Sequence, residues 1–111
     1  MASWQDVARI ATTLDGARAE VAHEGSPTFA VGRHPFARLR WDENGREILQ
    51  FWNRDLDTEA ALGQRRDTFF AISTFTVSVS VWAWLDRLDV EELTEILIDS
   101  WLARRGVRRG P

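Results

Sequence analysis

Arginine is the residue whose spacing in this chain most suggests chemistry, because its guanidinium group pairs with phosphate through two parallel hydrogen bonds. All fourteen basic residues are arginine, a bias along the whole chain that reflects gene composition rather than a site. Clustering carries more information than the total. Two clusters stand out, one in the first half and one at the end: Arg33, His34, Arg38, Arg40; and Arg104, Arg105, Arg108, Arg109.

Each cluster has a plain structural explanation as well as a functional one. The first is either a solvated strand face or a phosphate-binding surface, and the second either complements a helix dipole or binds phosphate. If both clusters lay on one surface, up to eight arginine and histidine side chains would face a nucleic-acid backbone, and binding would fall steeply with salt. The sequence leaves open whether they meet.

Tryptophan is the second residue type with suggestive spacing, in the stretch TFTVSVSVWAWL at residues 74–85. Apolar and small polar residues alternate there up to Val81, as in a strand with one buried face. Trp82 and Trp84 then occupy positions where the alternation calls for polar side chains. They either lie under a helix or form an exposed patch, which with Phe75 would bind a protein partner or a second copy of the chain.

Residues for other kinds of chemistry are sparse. The chain has no cysteine, no glycine-rich phosphate loop and no G-x-S-x-G nucleophile elbow. Its histidines, His23 and His34, lie in separate predicted strands, and its carboxylates gather at predicted helix starts, where capping explains them. We therefore expect a protein that is not an enzyme, with no catalytic residues, no metal site and no cofactor.

Length and composition restrict the class of protein further. A chain of 111 residues predicts one domain over residues 1–111. No apolar run approaches the roughly 20 residues of a membrane helix, and the start lacks the order of a signal peptide, so we expect a cytoplasmic protein without membrane contact. The net charge of −3 argues against a generic nucleic-acid coat, so any such surface must be a local patch.

Three helices are predicted. The first covers residues 4–15, with Ser3 and Asp6 as a capping box, and the last begins after Asp89 and ends at the basic pair Arg104-Arg105. A weaker one covers residues 58–66.

Strands are predicted between these helices at residues 20–24, 28–31, 35–41, 47–52 and 74–85, with Asn44-Gly45 as a hairpin turn. The order α-β-β-β-β-α-β-α predicts a two-layer α+β fold, with helices packed on one face of an antiparallel sheet. Alternation places Phe36 on the same strand face as Arg38 and Arg40. Three tryptophans that follow local apolar patterns are expected in the core: Trp4, Trp41 and Trp101.

The order of these segments resembles the MmcQ/YjbR-like family over nearly the whole chain. The resemblance rests on G-x-P-x-F at residues 25–29, on Phe69-Phe70 before a long strand, and on a final helix ending in Trp101 and basic residues. It implies a compact α+β fold related to the frataxin-like and secretion-chaperone-like folds. It also implies DNA binding through β hairpins in a double-wing arrangement.

The chain departs from that family's pattern near the tryptophan stretch. Ser73-Thr74-Phe75 stands where relatives commonly carry Pro-His-Tyr, and Trp84 stands where they often have arginine. Two hypotheses follow. One is a DNA-binding protein whose contacts are Arg33, His34, Arg38, Arg40, Arg104, Arg105 and Arg108. The other is a protein-interaction or self-associating module using Phe75, Trp82 and Trp84, and a small-molecule binder is a third, less specific possibility.

Overall fold

The computed structural model describes residues 1–22, 24–53, 64–65, 67–74 and 79–105. Helix α1 covers Trp4–Ala11 and helix α2 covers Val90–Arg105. The strands are β1 (Ala17–Val21), β2 (Pro27–Val31), β3 (His34–Trp41), β4 (Glu47–Asn53), β5 (Phe69–Thr74) and β6 (Val79–Trp84). A single 3₁₀ turn at Leu85–Arg87 joins β6 to the approach of α2.

The strands form one antiparallel sheet in the order β1-β2-β3-β4-β6-β5. Both helices pack on one face of it, which confirms the predicted two-layer α+β architecture. Among the described residues there is one strand more than the sequence predicted, because the apolar run beginning at Phe69 pairs with β6. The single strand predicted over residues 74–85 is wrong, since Thr74 ends β5 and pairs with Val79 at the start of β6. The helix predicted over residues 58–66 falls almost entirely outside the described residues.

Capping residues set the starts of both helices as predicted. The Asp6 carboxylate accepts a hydrogen bond from the Ser3 backbone N–H at 3.0 Å, and Asp89 accepts one from the Glu92 N–H at 2.7 Å. Helix α1 ends at Ala11, earlier than predicted, because the Thr12 and Thr13 hydroxyls bond the last carbonyl groups and the chain turns. Among the described residues, no helix is long and apolar enough to cross a membrane.

The core fills the space between the helices and the inner face of the sheet, the face toward α1 and α2. Its largest fully buried side chains come from four strands, the 3₁₀ segment and both helices: Phe36, Leu49, Phe51, Phe69, Val81, Leu85, Leu88, Leu93, Leu97 and Val7. Burial of each large apolar side chain contributes about 1.5–3 kcal/mol to folding. Because these residues point toward the helices, the alternate residues of each strand lie on the opposite face of the sheet.

A β-bulge in β3 changes the orientation of one predicted residue. The pairing of β2 with β3 shifts between Phe29 and Ala30, so that Phe36 has no partner across the ladder. Phe36 turns into the core and is fully buried, and its predicted place beside Arg38 is therefore wrong. Alternation alone does not hold through a bulge, where two residues face one on the neighbouring strand.

Of the three tryptophans predicted to be in the core, two pack against it and one does not. Trp4 and Trp101 are half-buried and pack against the core cluster. Trp41 is 49% exposed, so its placement in the core is wrong. It lies at the end of β3 opposite Glu47, whose carboxylate bonds the backbone N–H of Trp4 at the start of α1. Trp41 therefore lies across the ladder from a residue that contacts the first residue of α1.

Candidate nucleic-acid interface

The candidate site is the outer face of the sheet, defined as the face opposite α1 and α2. Strand pairing brings Arg38, Gln50 and Trp82 into one row across β3, β4 and β6. The next row contains Arg40, Ile48 and Trp84. No helix of the described part of the chain covers these rows, so arginine and tryptophan side chains share a surface that the helix-side core does not use.

Three aromatic rings contact one another on this face. Phe70, from β5, stacks on Trp84 with ring centroids 4.3 Å apart and planes inclined by 21°. The same ring meets Trp82 nearly edge to face, at 6.4 Å and 81°. Both indoles are half-buried and Phe70 is 36% exposed. Neither α1 nor α2 covers them, because both helices pack on the inner face.

Guanidinium groups lie over the two indole rings. The Arg40 guanidinium carbon lies 4.8 Å from the Trp82 ring centroid, and that of Arg46 lies 3.9 Å from the Trp84 ring centroid. Together with the three aromatic rings they form what we call the arginine–aromatic array: Arg40, Trp82, Phe70, Trp84 and Arg46. Cations over aromatic faces are attracted by the ring quadrupole. The array is therefore a surface with aromatic rings at its centre and positive charge at both ends.

Arg46 is firmly held at its end of the array. Its guanidinium donates two parallel hydrogen bonds to the Asp86 carboxylate, each 2.8 Å long. Hydrogen bonding from Arg46 lowers the pKa of Asp86 below its ordinary value, and the same contact raises the pKa of Arg46. Both groups are therefore charged at neutral pH. This bidentate geometry positions Arg46 as a structural support for Trp84.

Arg40 is held more loosely at the other end. Its Nε donates to the Gln50 side-chain oxygen at 2.9 Å, and its Nη1 lies 3.7 Å from the Glu24 carboxylate. The pKa of Glu24 is lowered first by a hydrogen bond from its own backbone, then by the Ser26 hydroxyl and the charges of Arg40 and Arg38. A long ion pair between exposed groups contributes little to stability. Arg40 can therefore exchange its partners for a bound anion.

Arg104, at the C-terminal end of α2, contacts the start of β3. Its Nε donates to the Pro35 carbonyl oxygen at 2.9 Å, and its guanidinium lies 4.8 Å from the ring centroid of Trp52. Burial, and after it the charge of Arg38, lowers the pKa of Arg104. Arg38 itself donates to the Thr28 hydroxyl at 3.3 Å. Within the described part of the chain, neither Arg38 nor Arg104 forms an ion pair with a carboxylate.

The other residues predicted from the sequence lie elsewhere. Arg33 is exposed in the turn between β2 and β3, and His34 is half-buried at the start of β3. Arg105 stacks over Trp101 at 4.7 Å, and the Trp101 indole N–H donates to the Asp15 carbonyl oxygen on the helix side of the molecule. Arg105 is thus separate from Arg38 and Arg40. The predicted residues Phe75 and Arg108 lie outside the described residues.

Two members of the array were not predicted from the sequence. Phe70 could have been found, because it alternates with Phe69, which points into the core. Arg46 follows the Asn44-Gly45 turn and gives no sign of its partner, which is 40 residues away. Long-range pairing of this kind is decided by the topology of the sheet.

The array and the neighbouring Arg38 and Arg104 can bind anions by charge and planar groups by stacking. Among the described residues, the charged groups here are those of Arg38, Arg40, Arg46 and Arg104 and the carboxylates of Glu24, Asp42 and Asp86, four positive charges against three negative ones. Among the described residues, no three histidine or acidic side chains come together as metal ligands. Comparisons with protein-family models, with curated proteins and with solved structures gave no match.

Proposed function

We propose that this protein is a small, non-enzymatic DNA-binding protein that contacts the phosphate backbone through Arg38 and Arg40 on the outer face of the sheet and through Arg104 at the end of α2. The observation that supports this is the placement of Arg38 and Arg40 side by side on the outer face, with the Arg40 guanidinium over the Trp82 ring. The resemblance to the MmcQ/YjbR-like family points to the same activity.

The weak partners of these arginines favour this proposal. Arg40 pairs with Glu24 only at 3.7 Å, and Arg38 bonds a neutral hydroxyl. An exposed ion pair contributes about 0–1 kcal/mol, whereas hydrogen bonds between two charged groups are roughly twice as strong as neutral ones. A phosphate group can therefore replace these contacts at low cost.

The direct test is fluorescence anisotropy of labelled DNA titrated with the protein at two salt concentrations. Three phosphate contacts correspond to a slope of log K against log salt of about −2.7 on duplex DNA, or about 40-fold weaker binding between about 50 and 200 mM. Binding that is insensitive to salt, or no binding at about 50 mM, would contradict the proposal.

The double variant Arg38→Gln/Arg40→Gln should lose most of this affinity. Removing two phosphate contacts should reduce the magnitude of the salt slope by about 1.8 and weaken binding at low salt by about 100-fold. The matched control is Arg9→Gln/Arg105→Gln, which changes the net charge equally on the helix side. It should stay within about threefold of the unmodified protein, because those charges are distant and screened. Equal losses in both variants would mean that total charge, not this surface, controls binding.

Self-association is a second candidate function, favoured by the exposed edge of the aromatic cluster formed by Phe70, Trp82 and Trp84. Aromatic clusters on a protein surface often mark protein interfaces. Sedimentation velocity over a range of protein concentrations distinguishes this function, since a dimer would appear with no DNA present.

A further inference from the structure

We infer that the outer face binds single-stranded rather than duplex DNA, with bases stacking on Trp82 and Phe70 while Arg38, Arg40 and Arg104 hold the phosphates. This inference rests on the proposed function and names the form of DNA. Arginines alone would suit any phosphate backbone. The aromatic rings between them add a second, base-dependent type of contact.

The aromatic rings decide between the two forms of DNA. In a duplex the faces of the bases are stacked on one another, so a side chain on a flat protein surface reaches only phosphates and groove edges. A single strand exposes its base faces, which stack on aromatic side chains irrespective of sequence. Trp82 and Phe70 lie on a sheet surface beside Arg40 and Arg38, which supplies ring faces and phosphate partners together.

Trp82 already carries the Arg40 guanidinium, so a base must displace it. A cation over an exposed aromatic ring contributes about two- to fivefold to an equilibrium constant, whereas a stacked base contributes about five- to 150-fold. Arg40 is held otherwise by one hydrogen bond to Gln50 and a 3.7 Å ion pair with Glu24. The base therefore replaces the guanidinium, which is then available to a phosphate.

Trp84 has a different part in this arrangement. Arg46 covers it at 3.9 Å and is fixed by two hydrogen bonds to Asp86, while Phe70 stacks against the same indole at 4.3 Å. Opening either contact would also break the bidentate pair or the ring stack. Trp84 therefore packs against one face of Phe70. The positions where a DNA base can stack are Trp82 and the exposed side of Phe70.

Base stacking can be separated from phosphate binding with three fluorescent probes of equal length: an oligothymidylate strand, an abasic phosphodiester strand and a blunt duplex. At about 50 mM salt the oligothymidylate should bind the protein about tenfold or more tightly than the abasic strand. Trp82→Leu should remove about tenfold of the oligothymidylate affinity and leave abasic-strand binding unchanged within about twofold.

Trp41→Leu is the matched control, because Trp41 is 49% exposed but belongs to the inner face. It should leave the binding of all three probes unchanged. Circular dichroism of both variants verifies the fold, and Phe70→Leu provides a second stacking variant, which should also lower oligothymidylate affinity selectively.

The outcomes separate the inference from the proposed function. If all probes bind equally, or the duplex binds most tightly, and only Arg38→Gln/Arg40→Gln weakens binding, DNA binding stands and base stacking is overturned. If no probe binds at about 50 mM salt, both fail. A dimer that Trp82→Leu dissociates, with no probe bound, would assign the surface to self-association and overturn both as well.

Discussion

Replacing Phe36 by alanine should lower the free energy of unfolding by about 3–5 kcal/mol, because it leaves a cavity in the core. Phe36 is fully buried, although Arg38 and Arg40 farther along the same strand face outward. Its burial depends on the bulge in β3. Urea denaturation monitored by tryptophan fluorescence measures the loss, which should also lower the melting temperature by about 12 °C or more.

Phe70→Ala is the matched control for this experiment, since it removes the same side chain from the outer face. Phe70 is 36% exposed and its main contact is the stack on Trp84. An aromatic pair contributes about 0.5–1.5 kcal/mol beyond the area it buries, so a loss of about 1–2 kcal/mol is expected. Equal losses for the two variants would mean that Phe36 is not in the core and that β3 has no bulge.

Replacing Ser100 by alanine should have the next largest effect. It should lower the free energy of unfolding by about 2–4 kcal/mol, because two buried backbone groups lose their hydrogen-bond partner. The buried Ser100 hydroxyl accepts from the Trp52 backbone N–H at 2.9 Å and donates to the Phe36 carbonyl oxygen. The Phe36 carbonyl belongs to the bulged residue of β3, and Trp52 follows Phe51, the last residue of β4 that pairs with β3. The Ser100 side chain of α2 thus bridges backbone groups of β3 and β4. Urea denaturation of Ser100→Ala measures what this bridge contributes to stability.

Ser80→Ala provides the control for Ser100→Ala, as both serines are buried. Within the described residues, the Ser80 hydroxyl accepts from the Gln50 side-chain amide at 3.0 Å, and that amide belongs to a half-buried residue that can turn toward water. A loss of about 1 kcal/mol or less is expected. If Ser100→Ala lowers the free energy of unfolding no more than Ser80→Ala does, then the bridge between Trp52 and Phe36 does not stabilise the fold.

Local patterns were sufficient to predict the helix starts and the alternation of the strands. Asp6 and Asp89 cap helices because the first backbone N–H groups of any helix need acceptors, which is a local requirement. Arg38 and Arg40 share a face because side chains two apart in a strand point the same way. Val81 and Ala83 are buried for the same reason.

Features that depend on distant parts of the chain were not predictable in this way. Phe36 was placed on the wrong face because the bulge is stabilised by Ser100, 64 residues later. Trp41 was expected in the core because its strand pattern gives no indication of where α1 begins relative to it. The contact of Arg104 with the Pro35 carbonyl depends on where α2 crosses β3, and α2 is anchored in the core by Leu93 and Leu97.

The most direct test of the central claim, that the outer face of the sheet binds DNA, uses the indole N–H signals of the six tryptophans. A ¹H–¹⁵N NMR titration with an oligothymidylate reports each of them separately. We expect the largest shift at Trp82, with smaller shifts at Trp84 and at Trp52 beneath Arg104, and unchanged signals for Trp4, Trp41 and Trp101. Shifts confined to Trp41 or Trp101, or no shift at any tryptophan, would contradict the account.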